Sequence, residues 1–263
     1  MTAKPSGLSP EYAAQFEDPS IVRAYPRRSP YPPETFEVLA DLAGVAQPAI
    51  LDLGCGTGDL TVGLSAFAAT VDAVDSSAEM IDAARVRATP RFNVRWLQAA
   101  AETVSLTGPY ELVTAGESLH WMDWDAVFAM IRRVLAPGRF LAIVDRDYAR
   151  RAWWDEAFQS IIDRYSTNKA YQRYDLVDEL TRGGLWSVAG ECATAPIPFR
   201  QTVAELIEAF HSRNGFSRDR MAIDDARRFD DEAAVHLTRF AEDGFVDLGA
   251  IGRVVWGTVA PAA

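Results

Sequence analysis

Cysteine is nearly absent from this chain: Cys55 and Cys192 are the only two in 263 residues. So few thiols exclude a disulfide framework and fit a reducing compartment, which makes a cytoplasmic location the expectation. Histidine is also scarce, with His120, His211 and His236 as the whole complement. No Cys/His cluster has the spacing of a zinc site, so no metal is expected. Apolar runs stop short of the ~18 residues that span a bilayer. The opening MTAKPSGLSPEYAAQF lacks the apolar segment of a signal peptide. Positive charge is in deficit as well: 26 Lys and Arg stand against 37 Asp and Glu, for a formal net charge of -11 and a pI near 4.8. A field of that sign discourages nucleic-acid backbones and anionic membranes, and neither is an expected partner. The arginine pairs at 27–28, 132–133, 150–151 and 227–228 are scattered, as solvated helix faces or local sites are.

What is present has the balance of a globular protein, 49% apolar and 24% charged. PPETFEVLADLAG (32–44) predicts a helix, with Pro33 in its first turn, Phe36, Leu39 and Leu42 on one side and Gly44 at its end. Strands are predicted at AILDLG (49–54), VDAVD (71–75), NVRWL (93–97), ELVTA (111–115, after the Gly108-Pro109 turn) and RFLAIVD (139–145). Between them LTVGLSAFA (60–68), SAEMIDAAR (77–85) and DAVFAMIRRVL (125–135) are helical, the last stopped by Pro137-Gly138. Such alternation predicts a parallel sheet covered on both faces.

After Asp145 the rhythm changes. RAWWDEAFQSIIDRY (151–165), YDLVDELTRGG (174–184), TVAELIEAFHSR (202–213) and roughly 219–241 are helical patterns. Residues 186–199 form a strand region, and VDLGAIGRVVWGTVA (246–260) a strand pair or one long bent strand. No Gly/Ser/Pro linker separates the halves, so the second half completes the sheet and adds a helical cover. The expected organisation is an N-terminal segment over 1–30, a ligand-binding core over 31–145, and completion of the sheet with helical insertions over 146–263.

The chemistry concentrates in ILDLGCGTGDL (50–60). Gly54, Gly56 and Gly58 occupy alternate positions after a strand that delivers the chain to the ligand-bearing edge of a parallel sheet. Glycine permits positive φ and close approach to the backbone. A phosphate-binding loop needs Lys-Ser/Thr after its glycines, where this chain has Asp59-Leu60-Thr61. A dinucleotide loop needs G-x-G-x-x-G, and neither register supplies the third glycine. Asp52 and Asp59 also repel a pyrophosphate. The loop favours a nucleoside without phosphates, and a cationic one fits. Asp75 ends the next strand, 17 residues beyond Gly58, where a carboxylate can accept hydrogen bonds from both hydroxyls of a ribose. It can also cap the following helix, as Ser76 or Ser77 can.

ILDLGCGTG followed by VDAVDSSAEMIDAAR resembles the class I S-adenosylmethionine-dependent methyltransferases, in particular the branch acting on small molecules. LVTAGESLHWMD and YPRRSPYPPETFEVL are similar to the trans-aconitate methyltransferase-like subgroup. The resemblance implies an α/β, Rossmann-like, doubly wound and mostly parallel seven-stranded sheet, with helices on both faces and an added helical cover over the active site. It implies S-adenosyl-L-methionine as cofactor and S-adenosyl-L-homocysteine as product. Asp52, Gly54, Cys55, Gly56, Thr57 and Gly58 would surround the methionine part, Asp75 would hold the ribose, and Ser76 and Met80 would lie near the adenine, with Gly116 also at the cofactor. The family's Gly-Asp-Ala-Glu is AAAE here (99–102), so Ala100, Ala101 and Glu102 are the adenine-side candidates and backbone groups must replace the missing Asp.

Methyl transfer is a displacement governed by positioning and electrostatics, sometimes aided by a base. His120 is the candidate base, or else a residue that lines the site, and Glu117 a weaker catalytic candidate. Tyr25 and Arg28 in a lid-like N-terminal segment, Trp121, Arg146, Tyr148 and Trp154 are the substrate-side candidates. The expected partner is a small-molecule acceptor, and the expected assembly a monomer or homodimer. A methyltransferase acting on protein or nucleic acid, a non-catalytic protein that binds the same cofactor, and a nicotinamide-dependent oxidoreductase are the alternatives.

Overall fold

The computed structural model describes residues 4–5, 7–88 and 92–261. Seven strands form the main sheet in the order β3-β2-β1-β4-β5-β10-β6. They are β1 (Ala49–Leu53), β2 (Thr70–Asp75), β3 (Val94–Gln98), β4 (Tyr110–Gly116), β5 (Leu135–Tyr148), β6 (Trp186–Ala193) and β10 (Ala250–Val259). The first five run parallel, whereas β10 lies antiparallel between β5 and β6. Strand order reverses between β1 and β4, which opens a crevice at their carboxyl ends.

Period-two alternation explains why the strands are apolar throughout. Leu51 and Leu53 of β1 pack in one core cluster with Val127, Phe128 and Ile131, while Ile50, on the opposite face, packs in another with Leu39 and Leu64. The first face is covered by α6 (Trp124–Val134), the second by α3 (Pro33–Ala43) and α4 (Asp59–Leu64). α5 (Ala78–Arg87) flanks β2 and β3, and α8 (Leu176–Arg182) flanks β6. A separate cluster, with Trp153, Phe158, Phe210, Phe229 and Leu237, joins α7 (Glu156–Tyr165), α9 (Val203–His211) and α10 (Ile223–Thr238) to a small sheet. That sheet holds β7 (Arg200–Thr202), β9 (Phe245–Asp247) and β8 (Ala241–Glu242) in the order β7-β9-β8. The expected helical cover therefore has its own core. Ahead of α3 the chain folds as α1 (Pro10–Ala13), α2 (Pro19–Ala24) and two 3-10 turns at Ala14–Glu17 and Tyr25–Arg27. Among the described residues no helix is long and apolar enough to cross a membrane.

Three elements differ from expectation. Pro137-Gly138 does not end α6: the helix stops at Val134, strand pairing begins at Leu135, and the Pro-Gly falls in a register shift between Tyr110 and Leu112. An irregular stretch needs no ladder N–H, so proline is tolerated there. Trp153 and Trp154 precede a helix instead of lying on it, because the Asp155 side chain accepts from Phe158 N and caps α7. The 246–260 stretch is two strands in different sheets, with Gly249 at φ 57 between them.

Candidate active site

At the end of β1 the chain turns back under β2. Gly54 N and Cys55 N both donate to Val74 O, at 2.8 and 3.0 Å, and Gly56 N donates to Asp75 Oδ2 at 2.8 Å. Gly54 and Gly58 adopt φ values of 66 and 83, and each is closely surrounded. A Cβ on Gly54 would lie 2.3 Å from Ser118 Cβ, and one on Gly58 would lie 2.7 Å from the Trp96 ring. These glycines thus serve the packing of the loop as well as open backbone. Asp75 Oδ1 accepts from Ser77 N at 2.9 Å, while Ser77 Oγ caps α5 by accepting from Met80 N. Asp75 accordingly pins the loop and leaves the cap to Ser77. Burial raises its carboxyl, opposed by the Ser77 and Gly56 N–H groups.

A cavity of about 160 Å³ opens along this edge. Gly54, Gly56, Asp75, Ser76, Met80, Ala100, Ala101 and Glu102 line it, as do Tyr25, Glu117 and Trp121 from the substrate-side and catalytic candidates. Ala13, Phe16, Val74, Ala99, Ser118 and Met122 also line it. Asp52, Cys55 and Gly116 border a gap of about 10 Å³ beside Arg146 instead, and Thr57 and Gly58 border neither space. The Asp52 carboxylate, 1% exposed, turns into the sheet and accepts from Thr61 Oγ1 at 2.5 Å and Thr114 Oγ1 at 2.9 Å. Burial raises it to about 6 although both hydroxyls favour the anion.

Behind the loop lies an ionic knot built around the buried Arg146. Glu117, held at φ 53, accepts from Arg146 Nε at 2.9 Å and from Arg28 NH1 at 3.3 Å. Arg146 also donates to Asp59 Oδ2 at 2.7 Å and to Ser29 O, and Arg28 donates to Ser212 Oγ and Ser212 O. Burial alone would raise the Glu117 carboxyl, but Arg146 and Arg28 outweigh it and hold the group below its ordinary value. A carboxylate so stabilised is a poor proton acceptor.

His120 occupies the 3-10 turn Leu119–Trp121. Its ring lies 4.8 Å from that of Trp121, which in turn lies 5.3 Å from Phe16. His120 does not line the 160 Å³ cavity. It faces two adjoining chambers of about 370 and 1060 Å³, and Trp121 borders all three. Arg28, Arg146 and Tyr148 line the 370 Å³ chamber, and Trp154 the larger one. Burial lowers the imidazole to about 4, against the opposing pull of Glu117, so the ring is neutral at pH 7. The other histidines are structural: His211 sits between Asp230 Oδ1 and Phe216 O, and His236 Nε2 meets Trp153 O. Sequence reasoning missed Asp145 and Arg213, which also face the 370 Å³ chamber, and no local pattern marks either. Among the described residues no group of three His, Cys, Asp or Glu could hold a metal ion.

Residues 50–138 match the family model of a methyltransferase domain. An uncharacterized methyltransferase of Mycobacterium tuberculosis is 36% identical over 146 residues, 55% of this chain and 58% of that protein. The match thus spans little more than half the length of that relative. A trans-aconitate 2-methyltransferase of Acidovorax sp. is 27% identical over 209 residues, 73% of this chain and 78% of that protein. A methyltransferase from Thiobacillus denitrificans, solved with S-adenosyl-L-homocysteine, covers 91% of this chain and 96% of its own, with a TM-score of 0.53 and 12% identity. At that identity the likeness shows the fold alone. Over residues 50–138 the chain is thus similar to methyltransferase domains, and its relatives fall in several methyltransferase families.

Proposed function

We propose that this chain transfers the methyl group of S-adenosylmethionine to a small-molecule acceptor. One observation carries the reading: the cavity that holds Asp75 adjoins the His120 chamber, and Trp121 and Glu117 border both. The residues fit the cofactor. Asp75 spends two of its roughly four acceptor sites on backbone N–H groups, which leaves two for a ribose diol. Among the described residues no basic side chain lines that cavity, as suits a ligand without phosphates. S-adenosylmethionine supplies an electrophilic methyl on a sulfonium, and the chain's part is to place a nucleophile in line and keep water out. Phe16 and Tyr25 form one wall and make the 10–28 segment a lid. His120, neutral and without a hydrogen-bonding partner among the described residues, orients an acceptor O–H or N–H as an acceptor of its hydrogen bond. Its low basicity makes full proton abstraction a minor part of its role.

The Acidovorax relative supports a small acid as acceptor. Arg28 and Arg146 are both committed to Glu117, however, so neither is free to hold it. Calorimetry with S-adenosylhomocysteine, followed by incubation of the chain with S-adenosylmethionine and fractionated metabolites, tests the proposal. Heat of binding and demethylated product formed only with the small-molecule fraction are expected. No heat with either nucleoside at millimolar concentration refutes it, and product formed only with protein or nucleic acid moves the acceptor class.

A further inference from the structure

Around the 1060 Å³ chamber the charge balance is the reverse of that of the whole chain. Among the described residues Arg151, Lys169, Arg173 and Arg213 line it against a single acid, Asp163, four cations to one anion, on a chain with net charge -11. Most of these cations are engaged or remote. Arg151 pairs with Asp147, Lys169 donates to the carbonyls of Asp163 and Arg164 at 2.8 and 2.9 Å, and Arg173 is exposed. Arg213 is different. Its guanidinium lies 4.7 Å from the Phe210 ring and 5.4 Å from the Trp154 ring, and among the described residues it makes no ion pair and meets no hydrogen-bond acceptor, although Glu117 feels its charge across the adjoining chamber. Stacking uses the face of the group and leaves its in-plane N–H donors available.

A basic residue just past a helix can be explained by the carbonyls it satisfies. Here the last carbonyls of α9 are already met: Ser212 N and Oγ donate to Ala209 O, and Arg213 N donates to Phe210 O. The guanidinium plays no part in that cap. It stands instead where the 370 and 1060 Å³ chambers meet, with His120, Trp121, Arg151, Tyr171 and Asn214 also common to both.

We infer that the larger chamber receives the far end of the acceptor, an oxyanion carried on a flat ring, and that Arg213 anchors the oxyanion. This deepens the methyl-transfer reading and rests on it for the direction in which the acceptor points. The planar guanidinium fork suits a carboxylate or a phosphonate, and Tyr171 offers a face for the ring.

The test uses the full chain saturated with S-adenosylhomocysteine and calorimetry with three probes: 2-naphthoate, its neutral isostere 2-naphthamide, and 2-naphthylphosphonate. The naphthoate is expected to bind about tenfold or more tightly than the amide, as a charge-assisted hydrogen bond allows. Arg213→Met, which keeps the stem against the rings, is expected to abolish that preference, while Arg213→Lys retains part of it. S-adenosylhomocysteine affinity should be unchanged in both variants, which also shows that they fold. Naphthylphosphonate binding above naphthoate identifies a phosphorylated acceptor and supports the anchor equally. Acid and amide of equal affinity, or a preference that survives Arg213→Met, overturns the inference. Failure of S-adenosylhomocysteine to bind while the Arg213-dependent preference persists sinks the methyl-transfer reading and leaves the anion chamber standing.

Discussion

Asp75 fixes the glycine loop and faces the cavity, so its amide isostere reports on both roles at once. In Asp75→Asn one carboxylate oxygen becomes an NH₂ group. The N–H that met it, from Gly56 at 2.8 Å or Ser77 at 2.9 Å, then confronts another donor. An orphaned buried N–H costs about 1–3 kcal/mol. Removing a charge that burial already disfavours returns part of this, so a net loss of about 1–2 kcal/mol is expected. Ligand binding should suffer more. A hydrogen bond from a ribose hydroxyl to a charged acceptor contributes about 1.5–3 kcal/mol, so losing one weakens S-adenosylhomocysteine binding roughly 10- to 100-fold. Urea unfolding with and without ligand reads both effects. At a ligand concentration of 100 times the native Kd, the native chain gains about 2.7 kcal/mol, and a variant with about 30-fold weaker binding gains only about 0.9 kcal/mol. A variant that gains as much as the native chain refutes the ribose role of Asp75. A variant equally stable without ligand refutes its role in holding the loop.

Three further outcomes follow from the same geometry. The Asp52 carboxyl, raised from 3.8 to about 6, binds its proton more tightly in the folded chain, so its contribution to stability is full below pH 3.8 and lost as pH rises through 6. Asp52→Asn, able to meet both threonine hydroxyls, should therefore stabilise the chain at pH 7 by up to ~3 kcal/mol and flatten the pH dependence of urea unfolding, and an unaltered slope refutes this. The His120 ring, assigned by the loss of one of three histidine signals in His120→Gln, should titrate by NMR near pH 4, and a midpoint between 6 and 7 refutes the desolvated placement. Gly54→Ala forces a Cβ toward Ser118 at φ 66 and should cost about 2–4 kcal/mol in urea unfolding, where a loss below about 0.5 kcal/mol shows that the loop yields freely.

The sheet and the glycine loop were legible because their signals are local: each strand is a short apolar run, and Gly54 to Asp75 lies within one strand–loop–helix–strand unit. Asp52 shows where locality ends. Its place at a strand end beside glycines suggested a ligand contact, but pairing of β1 with β4 sets it opposite Thr114, and the hydroxyls of Thr114 and Thr61 draw the carboxylate inward. No reading of residues 50–60 contains Thr114. The same limit governs the arginines. Arg28 was expected at the substrate because it sits in a lid-like N-terminal segment, yet its partners Glu117 and Ser212 lie 89 and 184 residues away and are supplied only by folding. Arg213 is the complementary case, a helix-terminal arginine of unremarkable sequence context that among the described residues makes no direct ion pair beside His120's chambers. Which guanidinium is consumed and which is available is thus settled by long-range pairing. A motif can locate the cofactor side of such a site, while the acceptor side is written in the charges that tertiary structure leaves over.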